Sequence, residues 1–144
     1  MTVVCWDGVT LAADKRAALG SLIRTTTKIR RVGEFLCGYA GYAAQGEEIL
    51  AWFARGAIAS EFPASQRDKD DWAGLLVIGR GSITRYERTP YPLHYEDAQF
   101  AIGSGRDFAL AAMHCGKTAR EAVEITCLFD NGCGGGVDTL EFVS

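Results

Sequence analysis

Thr2 is the first residue whose chemistry depends on where it stands. Threonine is small, so removal of Met1 is expected, and Thr2 then becomes the N-terminal residue. A threonine in that place carries a hydroxyl nucleophile and an α-amine whose ordinary pKa is about 7.7–8.0. The amine can act as general base for its own hydroxyl near neutral pH. A threonine is also simply a good residue to begin a strand. Asp14 and Lys28 follow, one ending a strand and one beginning another. Near the amine, this acid–lysine pair would hold positive charge close by, favouring a neutral amine and a more acidic hydroxyl. Elsewhere the two would be surface charges at strand ends.

Three glycine-bearing segments could complete such a site. Gly38-Tyr39-Ala40-Gly41-Tyr42-Ala43-Ala44 falls where a strand should give way to a helix. Backbone amides near a helix N-terminus stabilise negative charge, so the segment suits an oxyanion hole as well as a plain turn. Gly103-Ser104-Gly105 repeats the design at the next such junction. No Gly-x-x-Gly-Lys-Ser pattern or βαβ unit accompanies it, which excludes a phosphate loop. Asp130-Asn131-Gly132-Cys133-Gly134-Gly135-Gly136 fits a turn, a metal loop or a support for the site. It lacks the carboxylates and closing glutamate of a helix–loop–helix calcium site.

The elements that must position these residues can be read from periodicity. Residues 2–6 and 9–13 form a hairpin; a two-residue turn at Asp7-Gly8 sets Thr2 opposite Ala13, whereas a longer turn or a bulge moves Asp14 closer to it. Residues 28–32 and 35–39 form a second, turned at Gly33-Glu34. Residues 42–55 are helical, with Ile49, Trp52 and Phe53 on one face and Gly56 as the stop. Leu50 falls off that stripe and is expected to point away from the sheet. Residues 57–71 read as a polar loop. Strands follow at 73–78, 82–88 and 99–102, helices at 105–115 and 118–128, and a last strand at 137–143. Hairpin-joined strands and helices gathered in blocks argue for antiparallel sheets with helical layers rather than parallel crossovers.

Composition sets the outer limits. The 144 residues suit one domain over 1–144, and 48% are apolar, enough for a real core. Net charge is −3, so neither nucleic acid nor an anionic membrane surface is expected as a partner. No apolar run approaches the roughly 18 residues of a membrane span. The N-terminus lacks the basic and long apolar regions of a signal peptide, which points to the cytoplasm. Five cysteines, none in a Cys-x-x-Cys pair, read as reduced and mostly buried thiols. His94 and His114 stand at no ligand spacing, so no metal is expected.

Taken in order, the segments resemble the β-type subunits of the proteasome and their bacterial relatives. Thr2-Val3-Val4, Gly8 through Ala17, Lys28 through Val32, Ala40 through Ala44, Ala101 through Gly105 and Asp130 through Val137 carry the resemblance, which spans nearly the whole chain. It implies an N-terminal nucleophile hydrolase of α+β class. Its fold would be a four-layer αββα sandwich, two antiparallel sheets between helical layers, with one helical layer reduced because residues 57–71 leave no room for a long second helix. By resemblance Thr2 is the nucleophile, Lys28 the partner that acidifies it, and Asp14 the residue that fixes the lysine. Ser104, Asp130 and Cys133 support the amine, Cys133 standing where many members have serine. Gly41 supplies the oxyanion amide. Tyr39 and Ala43 line the pocket for the side chain before the scissile bond, and Ala18 lies on the wall that pairs with substrate.

The implied activity is that of a threonine peptidase subunit acting on peptides or unfolded polypeptides. It would assemble as a double ring of hexamers or heptamers, work with an ATP-dependent unfoldase and need no cofactor. A non-catalytic ring or scaffold subunit and a small-molecule amidase of the same fold are the alternatives.

Overall fold

A computed structural model describes residues 2–143 of the chain. Strands β1 (Val4–Trp6) and β2 (Thr10–Asp14) pair antiparallel, with Val4 opposite Ala13 and Trp6 opposite Leu11. The corner is Gly8-Val9, not Asp7-Gly8. The Asp7 side chain accepts from Val9 N–H (2.8 Å) and Thr10 N–H (2.7 Å), which draws Asp7 into the stem of the hairpin. The register is therefore two residues longer than expected, and Thr2 does not face Ala13. A two-residue shift preserves the alternation of faces, so no side chain changes sides. Asp14 instead comes level with Val3, and its N–H donates to Val3 O at 3.2 Å. Strands β10 (Phe100–Ile102) and β11 (Val137–Glu141) flank this pair in the order β10-β1-β2-β11.

The hairpin at Gly33-Glu34 forms as predicted. Strands β5 (Ile29–Val32) and β6 (Phe35–Gly41) meet there with Val32 opposite Phe35. They continue through β7 (Ala73–Gly79), β8 (Ser82–Tyr86) and β9 (Leu93–Tyr95) into a five-stranded antiparallel sheet. Two features lie outside the expected order. Strand β9 is one. The other is a separate hairpin, β3 (Arg16–Leu19) with β4 (Leu22–Thr25), that stands apart from both sheets.

Helices α1 (Ala43–Ala54), α3 (Arg106–His114) and α4 (Ala119–Phe129) occupy the predicted places. Residues 57–71 are not all loop, because Ala59–Glu61 makes a 3₁₀ turn and α2 (Ala64–Asp68) a short helix. The segment covers part of α1, and this corrects the reading of Leu50, which is buried together with Ile49 and Trp52. Phe62 meets Trp52 edge-on at 5.0 Å within the same cluster, so α1 has two apolar faces to satisfy.

Three buried clusters follow from period-two alternation along the strands. Val4, Leu11 and Ala13 of the four-stranded sheet pack with Leu36, Leu76 and Ile78 of the five-stranded one. Val3, Cys5 and Ala12, on the opposite face, pack against Ala109, Met113 and Val123 of α3 and α4. Cys37, Leu75 and Val77 pack against α1. Each large aliphatic side chain buried this way contributes about 1.5–3 kcal/mol. No helix among the described residues is long and apolar enough to cross a membrane. All five cysteines are unpaired thiols, three of them buried.

Candidate active site

Lys28 lies just before β5. Its backbone is held because Tyr39 N–H donates to Lys28 O at 3.1 Å, extending the β5–β6 ladder by one residue. The side chain is 4% exposed. Its Nζ donates to Thr2 Oγ1 and to Asp14 Oδ1, each at 2.9 Å. Asp14, fully buried at the end of β2, is held on both oxygens. Val3 N–H reaches Oδ1 at 3.1 Å, while Gly134 and Arg16 N–H reach Oδ2 at 3.0 and 3.2 Å. A buried carboxylate so supplied is fixed in place, and it fixes the lysine that bridges to Thr2.

A second group of side chains reaches the other end of Thr2. Thr2 N donates to Ser104 Oγ at 3.2 Å, and Ser104 Oγ donates to Asp130 Oδ2 at 2.9 Å. Cys133 Sγ donates to the same carboxylate oxygen at 3.5 Å, and Gly132 N–H to Oδ1 at 2.9 Å. Burial pushes the Asp130 carboxyl up. The donors from Gly132, Ser104 and Cys133 outweigh it and hold the group below the usual carboxylate value. The Cys133 thiol is pushed up to about 12 by burial and then by Asp14 and Asp130, so it stands here as a neutral donor. Glycine is required at 103, where φ is +98° and a Cβ would collide with the Thr2 carbonyl. Met1, whose removal the sequence predicts, lies outside the described residues.

Gly41 ends β6 with φ +121°, and a Cβ there would lie 2.5 Å from Trp72 O. Successive amides of an antiparallel strand point to opposite edges. Tyr42 N–H donates toward β7, to Trp72 O, and Tyr39 N–H donates the other way, to Lys28 O. By that alternation Gly41 N–H faces the Lys28 side. A cavity of about 690 Å³ opens there, lined by Thr2, Lys28, Tyr39, Gly41 and Ala43, with Ala18 on the β3–β4 hairpin forming a wall. The Tyr39 ring reaches across to α1. It packs over Gly46 of α1, with its hydroxyl 3.3 Å from Glu47, and burial raises its pKa.

The structure thus brings all ten sequence-derived positions around one cleft. Asp14, Asp130 and Cys133 sit behind it, Asp14 reaching Thr2 through Lys28, and the others line it or touch Thr2. Sequence reasoning missed Arg16, Asn131 and Gly132, which also line the cleft. Arg16 Nη1 donates to Asn131 O at 2.6 Å, and its guanidinium lies against Gly134 where a Cβ would stand. The glycine run at 134–136 was the available signal that something packs closely on that loop. Among the described residues no group of His, Cys, Asp and Glu is placed to hold a metal ion.

No protein-family model matches the sequence, and no curated protein matches it. Solved structures do match the fold. Eukaryotic HslV from Trypanosoma brucei superposes with a TM-score of 0.69 at 22% identity, over 96% of this chain and 97% of that one. Thiobacillus denitrificans BPH in complex with epoxomicin gives 0.72 at 20% identity over 100% of both chains. Thiobacillus denitrificans BPH alone gives 0.71 at 18% identity over 99% of each. The fold is that of the proteasome β-type family. The proteasome-type resemblance read from the motifs therefore extends to the whole path of the chain. Within this proteasome-type fold the β3–β4 hairpin, invisible in the sequence pattern, supplies one wall of the cleft.

Proposed function

We propose that the chain is a threonine-type peptidase subunit whose nucleophile is Thr2 after removal of Met1. The observation that carries this reading is the Lys28 Nζ contact, 2.9 Å from both Thr2 Oγ1 and Asp14 Oδ1 in a buried setting. Thr2 Oγ1 attacks the scissile carbonyl carbon while its proton passes to the Thr2 α-amine. The carbonyl oxygen becomes an oxyanion and accepts from Gly41 N–H. Lys28 contributes positive charge beside the developing alkoxide, and Asp14 holds it there. Collapse breaks the C–N bond, and the leaving amine takes the proton from the α-ammonium. An ester to Thr2 remains. Water then attacks it with the amine as base, releasing the acid and restoring Thr2. Ser104 and Asp130 orient the nitrogen, and Cys133 supports Asp130.

We read the three clusters as the seams of a four-layer αββα sandwich, with α2 a shortened part of one helical layer and residues 1–144 as a single domain. The side chain before the scissile bond enters beside Tyr39 and Ala43, and substrate backbone pairs along Ala18. The exposed apolar residues Phe108 and Leu110 of α3 and Phe129 of α4 support burial against further copies. A cytoplasmic double ring of hexamers or heptamers, fed unfolded polypeptide by an ATP-dependent unfoldase, satisfies that need with repeated contacts. Epoxomicin, found in complex with BPH, is a ligand to try at this site, and an electrophile that adds to a free N-terminal threonine is its covalent probe. The test is hydrolysis of fluorogenic peptides by three proteins. Thr2→Ala is predicted to abolish cleavage while assembly persists, and Thr2→Ser to retain measurable activity. Undiminished cleavage by Thr2→Ala contradicts the assignment.

A further inference from the structure

Gln66 of α2 is the largest fully buried polar side chain outside the site just described. Its amide is completely engaged. Nε2 donates to Ala73 O at 2.6 Å and to Glu87 O at 3.0 Å, and Oε1 accepts from Ala73 N–H at 2.8 Å. A side-chain amide thus stands where a neighbouring strand would otherwise continue. Strand β8 ends at Tyr86, and Gln66 takes over the edge of β7 beyond that point.

The residue it grips is the one opposite Gly41. Ala73 and Gly41 are partners in the β6–β7 register. Tyr42 N–H donates to Trp72 O, so by alternation the 41–73 pair exchanges no hydrogen bonds of its own. The two residues are held together by packing. A Cβ on Gly41 would lie 2.5 Å from Trp72 O and 2.8 Å from Ala73 Cα, so the backbones are already in close approach. Both polar groups of Ala73 point away from β6, toward Gln66. Whatever moves Ala73 along that direction moves the surface on which Gly41 rests. Arg88 braces the arrangement from behind, donating to Gln66 O, Arg67 O and Lys69 O at 3.2, 3.1 and 2.7 Å.

We propose that Gln66 is a positioning residue for the Gly41 backbone amide, setting its aim at the oxyanion through Ala73. The inference rests on Gly41 being the oxyanion donor in the proposed function. Gln66 does not touch substrate. Its effect belongs to the transition state, where the oxyanion is fully formed, more than to the bound ground state. It therefore separates kcat from KM.

The experiment compares two variants of the full-length assembled protein. Gln66→Met keeps the side-chain volume but offers no hydrogen bonds to Ala73 or Glu87. Phe62→Leu loosens the same segment through its packing on Trp52 and leaves Ala73 untouched. Peptide cleavage is measured per reactive Thr2, counted with the covalent probe, so unfolded chains do not enter. Removing an oxyanion donor outright costs about 10²–10³ in kcat, so displacing one is expected to cost about tenfold. The predicted result is a roughly tenfold lower kcat for Gln66→Met with KM within about twofold, and an unchanged kcat per site for Phe62→Leu. Amide hydrogen exchange across residues 40–43 is predicted to quicken in Gln66→Met and not in Phe62→Leu. Wild-type kcat per site in Gln66→Met overturns the proposal, as does an equal fall in both variants. If the wild-type protein neither cleaves peptide nor takes the probe, the peptidase reading and the catalytic role of Gln66 fall together. Unchanged exchange at 40–43 in Gln66→Met also overturns the proposal, because Gln66 then does not act on Gly41 through Ala73.

Discussion

Thr2 is gripped from two sides, and the two sides differ in their contact with water. Lys28 and Asp14, which reach its hydroxyl, are 4% and 0% exposed. Ser104, which reaches its nitrogen, is exposed, and Asp130 behind it is half-buried. Charges act strongly across a dry contact and weakly across a wet one, where salt and water screen them. The buried arm is thus built to act on the energy of the hydroxyl. The wetter arm is a hydrogen-bond relay suited to holding a nitrogen in place. Two glycines beside the arms serve different ends. At Gly41 the absent side chain lets the backbone settle on Trp72 and Ala73, and at Gly103 it makes room for Thr2 itself.

The comparison predicts a graded series. The largest effect belongs to Lys28→Ala, which is expected to lower turnover by at least about 10²-fold, the scale of a lost electrostatic catalytic group. Lys28→Arg should not rescue it, because a planar guanidinium does not fit a site built around a compact ammonium. The same Lys28→Ala change leaves Asp14 buried without its cation, a loss on the order of 3–5 kcal/mol that thermal melting would register. Near-normal turnover in Lys28→Ala would reduce the lysine to a structural charge and erase the difference between the arms.

An intermediate effect is expected from Ser104→Ala, which cuts the relay and leaves the buried arm intact. A loss of about tenfold in turnover, below that of Lys28→Ala, fits a positioning role in a wet setting. Asp130→Asn tests the acid end of the relay through stability. The folded state holds this carboxyl below its ordinary value, so its contribution is present above the unfolded pKa of 3.8 and is lost as pH falls through the lower folded value. Denaturation profiles of wild type and Asp130→Asn should therefore differ at neutral pH and converge in strong acid. Parallel profiles at every pH would contradict the relay.

The smallest effect is expected at Cys133. Replacing it with serine exchanges one neutral donor to Asp130 for another, so turnover should stay within about threefold. Its thiol titrates near 9.0 when unfolded and at about 12 in the fold. A pKa raised on folding gives stability that is complete below the unfolded value and is lost as pH rises toward the folded one. Buried Cys5 and Cys37 are raised to about 12 in the same way. Native stability should fall between about pH 9 and 12, and less steeply in Cys133→Ser. A flat profile across that range would show that burial does not control these thiols.

The positions that gather at the cleft were more legible in the sequence than the scaffold that holds them. Thr2, Asp14, Lys28 and the glycine junctions each have a chemical reason to stand near a strand end, but it was the resemblance that gathered them into one site. The helices were legible because their apolar period is long enough to recognise. The first hairpin was misregistered because Asp7-Gly8 is a strong turn signal, while the Asp7 carboxylate prefers the amides of Val9 and Thr10. The β3–β4 hairpin has no buried residue, so alternation could not reveal it. Leu50 was misplaced because Phe62, which joins its buried cluster, lies in a segment of mostly polar composition. Gln66 carried no signal at all, since a lone glutamine in a polar stretch looks like surface.

The most direct measurement of the central claim is the intact mass of the purified protein, taken before and after incubation with an electrophile that adds to a free N-terminal threonine. The account predicts a chain lacking Met1 that gains one adduct per subunit, and a Thr2→Ala chain that gains none. A protein that cleaves peptides while every chain retains Met1 would contradict it, because the Thr2 nitrogen would then be a peptide amide with no capacity to act as a base.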